Sequence, residues 1–239
     1  MMAEANDFTA DIRSALGFSS TDKRDPGQLP TLFSSTAIDG VLDRIYSRTI
    51  EEKRLLVAQF KEQAAPLKLI VHETAGFSGA ARIVADIIND SSPEFGEAQE
   101  IILHDHADIA ALQLAIKDDS GIVYHCTSPT DPAIRQKTIA SYIGITAPQW
   151  GVADTATVLQ VTKTGQPRST SLVPSIHIGV LRLENMLADL SELYALLKQN
   201  PPDSSYVFIS GPSKTADIES QLVHGAHGPK EMHIVVAEV

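Results

Sequence analysis

The chain has 239 residues with 43% hydrophobic content, which suits one large α/β domain or two small ones. Its formal net charge of −11 at pH 7 argues against non-specific binding to nucleic acid or to an anionic membrane, because both depend on basic surface. The single cysteine, Cys126, excludes an internal disulfide and an iron–sulfur cluster held by this chain alone, since such clusters usually need four thiolates.

The start of the chain is acidic and polar, without the apolar core of a secretory signal. No apolar run approaches the ~20 residues of a membrane helix, so we expect a soluble, cytoplasmic protein. Residues 7–16 are compatible with a short helix, and residues 18–36, rich in Ser, Thr, Asp, Pro and Gly, predict a surface connection. The sequence therefore predicts an N-terminal helix and connection over residues 1–36 and one α/β domain over residues 37–239.

A regular alternation of helices and strands begins near residue 40. Thr49 and Glu52 have the spacing of a capping box that opens a helix through Gln63. Further strands are predicted at 67–71, 101–103 and 121–126, and further helices at 78–88, 107–116 and from Asp131 to about Tyr142. Repeated units of this kind predict a mostly parallel sheet with helices on both faces.

The alternation breaks near residue 143. The sequence there predicts a short strand at 143–146, an extended or hairpin segment at 152–161 and a buried strand at 176–181. An amphipathic helix is predicted from Leu183 to Lys198.

The C-terminal segment predicts an anion site. A strand over 206–210 is followed by a turn at Gly211–Lys214, a helical pattern from Thr215 to His224, and a last strand at 233–236. A helix start after a strand directs backbone N–H groups at an anion, and Ser213 and Lys214 add a hydroxyl and a cation. The alternative is a plain turn with a capped helix. The P-loop pattern is excluded, since Phe208 and Ser213 occupy its glycine positions.

Other candidate residues lie in the middle of the chain. Asp154 stands among small residues and is either an acid/base or hydroxyl-binding group or a turn residue. Arg168 could pair with a carboxylate and His177 titrates near neutrality, or both are structural. The pairs His104/His106 and His224/His227 lack a third ligand cluster, so we predict no metal site.

Three segments together resemble a known family. Ser210–Glu219 followed by Gly225–Pro229 resembles the C-terminal signature of the lactate-utilisation (LUD) domain family, most closely its short single-domain branch. Gly144–Thr146 with Ala153–Thr157 resembles its central motif, usually Ala-Glu-Thr-Gly-Thr, and Leu172–Ile178 resembles its Leu-x-Pro-x-x-His-Ile segment. The resemblance covers roughly residues 140–239, in the right order. Asp154 and Ala156 depart from the usual Glu and Gly.

The resemblance implies a three-layer α/β/α sandwich with a mostly parallel sheet, akin to sugar-phosphate isomerases and CoA-transferases. It also implies a role in bacterial oxidation of L-lactate to pyruvate with two partner proteins, the iron–sulfur clusters lying in a separate subunit and no cofactor in this chain. A small carboxylate or phosphate would bind at the carboxyl ends of the strands. The residues expected to bind it are Gly211, Ser213, Lys214, Thr215, Thr155, Arg168, His177 and His227.

Two alternatives remain open at this point. The chain could be a stand-alone enzyme of the CoA-transferase or sugar-phosphate isomerase type, with Asp154 or Glu219 as the working carboxylate. It could also be a non-catalytic binding or assembly module. Neither a Gly-x-Ser-x-Gly elbow nor a G-x-G-x-x-G fingerprint is present, so nothing marks a serine hydrolase or a dinucleotide enzyme.

Overall fold

A central sheet of parallel strands organises the computed structural model. Its strands are β1 (Ile70–Ala75), β2 (Glu100–Leu103), β3 (Val123–Cys126), β4 (Ile143–Thr146), β7 (Ile176–Arg182) and β12 (Glu231–Glu238). Their order across the sheet is β1-β12-β7-β4-β2-β3, and each neighbouring pair is parallel. The predicted parallel α/β sheet is confirmed.

The structure describes residues 14–15, 38–93, 98–116, 121–202, 204–216, 222–225 and 227–239. Residues 39–239 form one compact unit, which contains the central sheet. The predicted N-terminal helix and connection fall almost wholly outside the described residues, so the proposed division of the chain stays a prediction. Within the described part, no helix is long and apolar enough to cross a membrane.

Helices cover both faces of the central sheet. They are α1 (Ile38–Ser47), α2 (Ile50–Ala64), α3 (Gly76–Asp90), α4 (Ala107–Ala115), α5 (Ile134–Ala140), α6 (Ser169–Leu172) and α7 (Leu190–Gln199). Helices α3 and α4 pack on one face in a cluster that includes Val235, and α2 packs on the other face with Ile234 and Val236. Consecutive residues of β12 thus face opposite sides of the sheet, as the side chains of a strand do. Helix α2 begins with the predicted capping box of Thr49 and Glu52.

A second, smaller sheet lies on the α2 face. Its strands are β5 (Trp150–Val152), β6 (Thr157–Val161), β8 (Met186–Leu187) and β9 (Tyr206–Ile209), in the order β8-β5-β6-β9. Strands β5 and β6 form the predicted hairpin. Val158 and Met186 pack in the same buried cluster as α2, so the small sheet completes one of the outer layers.

The predicted helix from Leu183 to Lys198 is wrong in its first half. A 3-10 turn at Leu183–Asn185 and strand β8 come first, and α7 starts only at Leu190. The side chain of Asp189 accepts a hydrogen bond from the Glu192 N–H and so fixes the start of the helix. Leu183 and Leu187 have helical spacing and are buried, but they belong to the 3-10 turn and to β8.

The predicted helix over Thr215–His224 is also wrong. The chain there forms β10 (Lys214–Ala216) and β11 (Leu222–His224), which pair antiparallel with Thr215 opposite Val223. These two β-branched residues favour strands over helix. The helix start on which the predicted anion site depended is therefore replaced by a hairpin strand.

Candidate functional site

A pocket of about 620 Å³ lies between the central sheet, α6 and β9. It gathers five of the residues that the sequence analysis assigned to anion binding: Arg168, His177, Gly211, Ser213 and His227. We call it the arginine pocket. Segments far apart in the chain meet here, although Lys214, on which the expected anion site centred, does not line the pocket.

The position of the arginine pocket in the sheet differs from the expected one. His177 and Met232 line it, and they are the second residues of β7 and β12 and register partners. The pocket is therefore at the amino ends of these strands, whereas the carboxyl ends were predicted. At its carboxyl end, β7 finishes with Arg182, whose guanidinium binds both carboxylate oxygens of Asp108 at 2.6 and 2.7 Å. That end of β7 is occupied by an ion pair.

The floor of the arginine pocket is the imidazole of His177. The residue is fully buried, and its Nε2 lies 2.8 Å from Thr146 Oγ1. Burial lowers the pKa of His177 to about 3, so the ring is neutral at physiological pH. Its Nδ1 has no hydrogen-bond partner in the described part of the chain. One hydrogen-bonding position of the neutral imidazole is thus left without a partner among the described residues.

Two further buried polar side chains lie on the small sheet and on α6, which both contribute residues to the pocket, although neither side chain lines it. Both amide atoms of Gln160 and the hydroxyl of Thr170 are buried and lack partners among the described residues. Gln160 is the register partner of Val207, a lining residue, so both side chains leave the small sheet on the same face. A buried polar group without a partner costs about 1–3 kcal/mol, and a ligand or water would offset that cost.

A second buried histidine supports the same region. His104 Nε2 lies 3.2 Å from the carbonyl oxygen of Pro167, the residue before Arg168. Burial lowers the pKa of His104 to about 4. The electrostatic effect of His104 is also among the causes that lower the pKa of His177, after burial itself. The two rings are therefore held neutral together.

The charge of the arginine pocket is positive although the chain is acidic. Arg168 is exposed and forms no ion pair within the described residues, and no described lining residue is Asp or Glu. Part of the lining is apolar and exposed, with Leu172, Val173 and Phe208 exposed by 55, 46 and 40%. This combination suits an anion that carries an apolar group.

Hydrogen bonds join the sequence motifs that surround the pocket. The Ser213 N–H donates to the Pro229 carbonyl at 2.7 Å, and the Gly225 N–H donates to the Ser213 carbonyl at 3.0 Å. The hydroxyls of Thr157 and Ser210 are 2.7 Å apart. The central motif, the His177 segment and the terminal signature thus form one continuous region.

Several predicted site residues do not line the arginine pocket. Lys214 is exposed on β10, and Thr215 follows it there. Thr155 and Asp154 belong to the 3-10 turn between β5 and β6. Asp154 is exposed, and its N–H donates to the Ala188 carbonyl at 3.1 Å. Glu219 lies outside the described residues.

Thr146, Gln160 and Thr170 were missed by the sequence reasoning. A lone amide inside the apolar strand Thr157–Val161 is a signal that could have identified Gln160. Thr146 and Thr170 carry no comparable signal, since threonine is common in strands and turns. Across the described residues, no group of three or more His, Cys, Asp or Glu side chains could hold a metal ion.

Comparison with known proteins decides the family. The model of the LUD domain matches residues 57–237, which contain the central sheet except for its last residue, Glu238, and every segment of the arginine pocket. The chain belongs to the LUD-domain family. A solved DUF162 family protein from Deinococcus radiodurans shares the fold, with a TM-score of 0.56 and 15% identity over 77% of this chain and 98% of that one.

The more similar relatives match over shorter stretches. A lactate utilization protein C of Shouchella clausii is 37% identical over 44% of this chain and 47% of its own length, and that of Bacillus subtilis is 31% identical over 40% and 42%. An uncharacterized protein of Neisseria meningitidis is 36% identical over 38% and 40%. The aligned part of the chain spans less than half the length of each of these relatives.

One departure from the LUD-family pattern has a visible structural consequence. Ala156 occupies a position at which the family's sequence motif usually has glycine. Its φ is +46°, in the left-handed region. This conformation costs a non-glycine residue about 1–2 kcal/mol. The methyl group of Ala156 is fully buried in the α2 cluster, which returns roughly 0.8 kcal/mol. The backbone shape of the turn is therefore compatible with alanine at a small cost.

Proposed function

We propose that this protein takes part in lactate utilisation by binding a small 2-hydroxy or 2-oxo carboxylate in the arginine pocket. Two observations support the proposal from different sides. Several relatives are named lactate utilization protein C. The pocket places the guanidinium of Arg168 and the buried imidazole of His177 around one cavity, and the open hydrogen-bonding position of His177 is the observation that carries the proposal.

Each end of such a ligand has a matching group. The Arg168 guanidinium can bind a carboxylate through two parallel hydrogen bonds. If the Thr146 hydroxyl accepts from His177 Nε2–H, the bare Nδ1 accepts from the hydroxyl of a 2-hydroxy acid. If the Thr146 hydroxyl donates instead, Nδ1–H donates to the oxygen of a 2-oxo acid. The same residue can therefore bind both the reduced and the oxidised compound.

The pocket is larger than lactate requires. Its volume of about 620 Å³ and its apolar wall of Leu172, Val173 and Phe208 leave room for a larger apolar substituent at the third carbon. We therefore propose that affinity rises from L-lactate to L-phenyllactate, as each buried apolar carbon group adds about 0.8 kcal/mol.

Oxidation of a 2-hydroxy acid requires an electron acceptor. Cys126 is the single cysteine of the chain and is exposed, so the residues present do not fit an iron–sulfur cluster, which usually takes four thiolates. We propose that iron–sulfur partner proteins carry the electrons. The purified chain alone should then fail to oxidise L-lactate with dye acceptors, and turnover by it would contradict this part of the proposal.

The binding proposal is tested by calorimetric titration of L-lactate, pyruvate and L-phenyllactate into the protein. The Arg168→Ala substitution should weaken all three by roughly tenfold or more, because it removes a charge-assisted hydrogen bond worth about 1.5–3 kcal/mol. The Lys214→Ala substitution is the matched control, because it removes the same charge from an exposed residue that does not line the pocket.

The pair of variants separates the two sites that sequence and structure favour. Equal losses in both variants would indicate a general charge effect and would refute a specific role of Arg168. If only Lys214→Ala loses affinity for the carboxylates, the binding site includes β10 and not the arginine pocket. A third variant, His177→Phe, should abolish the preference for 2-substituted acids over acetate while the thermal unfolding transition reports whether the protein remains folded.

A further inference from the structure

A second cavity of about 580 Å³ lies on the opposite face of the central sheet from the arginine pocket. Ile176 and His233 line it, and they are the strand neighbours of His177 and Met232, which line the arginine pocket. Successive strand residues point to opposite faces, so the same two strand ends supply both cavities. Helix α3 forms the other wall, through Ile83, Asp86, Ile87 and Asp90. We call this cavity the histidine-pair pocket.

Three titratable side chains in this pocket form a hydrogen-bonded chain. His72 Nε2 lies 3.1 Å from His233 Nδ1, and His233 Nε2 lies 2.7 Å from Glu231 Oε1. An ionised carboxylate only accepts, so His233 Nε2 carries the hydrogen. A neutral His233 then has a bare Nδ1, which accepts from His72 Nε2–H. In this arrangement the remaining nitrogen of His72, Nδ1, is a hydrogen-bond acceptor.

The charge of the pocket is negative. Of its described lining residues, Asp86, Asp90 and Glu231 are acidic and Lys230 is basic. Burial, followed by the nearby His233, lowers the pKa of His72, which keeps that ring neutral at pH 7. The three carboxylates would repel a bound anion and attract a bound cation, and the neutral imidazole would not repel a cation.

The two aspartates occupy positions that weaken their own helix. Asp86 and Asp90 are four residues apart, and Asp90 is the last residue of α3. Like charges at this spacing repel, and the carbonyl end of the helix disfavours the carboxylate of Asp90 by about 0.3–1 kcal/mol. Neither aspartate has an ion-pair partner in the described part of the chain. A bound cation would relieve both unfavourable terms.

We infer that the histidine-pair pocket binds a small alkylammonium ion. The ammonium group would lie between Asp86, Asp90 and the acceptor nitrogen of His72, and the alkyl chain would contact Ile83 and Ile87. This inference does not depend on the function proposed for the arginine pocket, because none of its residues lines that pocket.

The test is an NMR titration of the imidazole Cε1–H signals with n-butylammonium chloride at constant ionic strength. The signals of His72 and His233, assigned with His72→Gln and His233→Gln, should shift and saturate, and that of His177 should not move. Sodium butyrate and 1-butanol keep the alkyl chain and change the head group, so neither should cause these shifts. Asp86→Asn and Asp90→Asn should each weaken butylammonium binding about two- to fivefold, as expected for exposed ion pairs.

The matched control is Asp43→Asn, which removes an exposed aspartate of α1 that does not line the pocket. It should leave butylammonium affinity unchanged. Two results would overturn the inference. One is that butyrate or 1-butanol shifts the His72 signal over the same concentration range. The other is that Asp86→Asn and Asp90→Asn both bind butylammonium as tightly as the unaltered protein does.

Discussion

The two faces of the central sheet present opposite chemistry at the amino ends of β7 and β12. On one face, a buried neutral histidine and an exposed arginine line a pocket without described carboxylates. On the other face, a pair of hydrogen-bonded histidines lies among three carboxylates. The residues that differ are strand neighbours, His177 beside Ile176 and His233 beside Met232. The same ends of β7 and β12 therefore contribute residues to two pockets of opposite charge, one on each face of the sheet.

The comparison also shows that two buried histidines on neighbouring strands use their ring nitrogens differently. His177 has no charged partner within the described residues and is fully buried, so its pKa falls to about 3. His233 is also buried, but its two nitrogens contact Glu231 and His72. The arginine face consequently offers a ligand the buried histidine itself, whereas the opposite face offers the outer histidine of a pair.

The largest expected effect is acid destabilisation through the arginine face. The pKa values of His177 and His104 are about 3 and about 4 in the folded protein, against about 6.5 in the unfolded chain. The unfolded chain binds protons first as pH falls, so stability is fully present above pH 6.5 and is lost below it. Between pH 6.5 and 4.5 the free energy of unfolding should fall by about 4 kcal/mol. Urea unfolding at several pH values measures this.

A single substitution tests the assignment of that loss. His177→Gln should remove about half of the pH dependence, whereas His72→Gln on the opposite face should remove less, because the pKa of His72 is less strongly lowered. If both variants keep the full pH dependence, the buried histidines are not its source.

The next largest effect is expected from overpacking beneath the arginine pocket. A Cβ on Gly144 would lie 1.9 Å from the Thr170 carbonyl oxygen, so Gly144→Ala must displace α6. We expect a loss of about 3 kcal/mol in the free energy of unfolding and weaker carboxylate binding, with butylammonium binding on the opposite face retained. Gly40→Ala is the control, because nothing lies within 4 Å of its added Cβ. If Gly144→Ala is as stable as Gly40→Ala, α6 moves at no cost in free energy of unfolding, and the prediction is wrong.

The smallest effect is a gain of stability on the histidine-pair face. The double substitution Asp86→Asn and Asp90→Asn removes the repulsion between the two carboxylates and their unfavourable position near the end of α3. The free energy of unfolding should rise by about 0.5 kcal/mol, measured by urea unfolding at pH 7 and low salt, while butylammonium affinity falls. If the double variant is less stable than the unaltered protein and binds butylammonium equally well, these aspartates do not form the proposed ammonium site.

Much of the architecture could be predicted from local sequence. The capping box of Thr49 and Glu52 appears where its pattern places it, and β2, β3 and the helices between β1 and β3 overlap their predicted positions, because hydrogen-bond spacing and hydrophobic period are local properties. The strand predicted at 67–71 is displaced, since Ala65–Leu67 form a 3-10 turn and β1 begins only at Ile70. The hairpin β10–β11 could not be predicted, since Thr215–His224 carries a helical pattern and its strands are stabilised by pairing with each other. Asp189 was also overlooked as the cap that shortens α7.

The sequence by itself determined the α/β class and the resemblance to the LUD family, and it made Arg168 and His177 candidate site residues. Only the tertiary structure decided that these two residues share a pocket at the amino ends of the strands, with Lys214 outside it. It also brought Gln160 beside Val207 and His72 beside His233. The physical reason is that burial, pKa and partner choice depend on which strands become neighbours, and strand order is set by the packing of the whole domain.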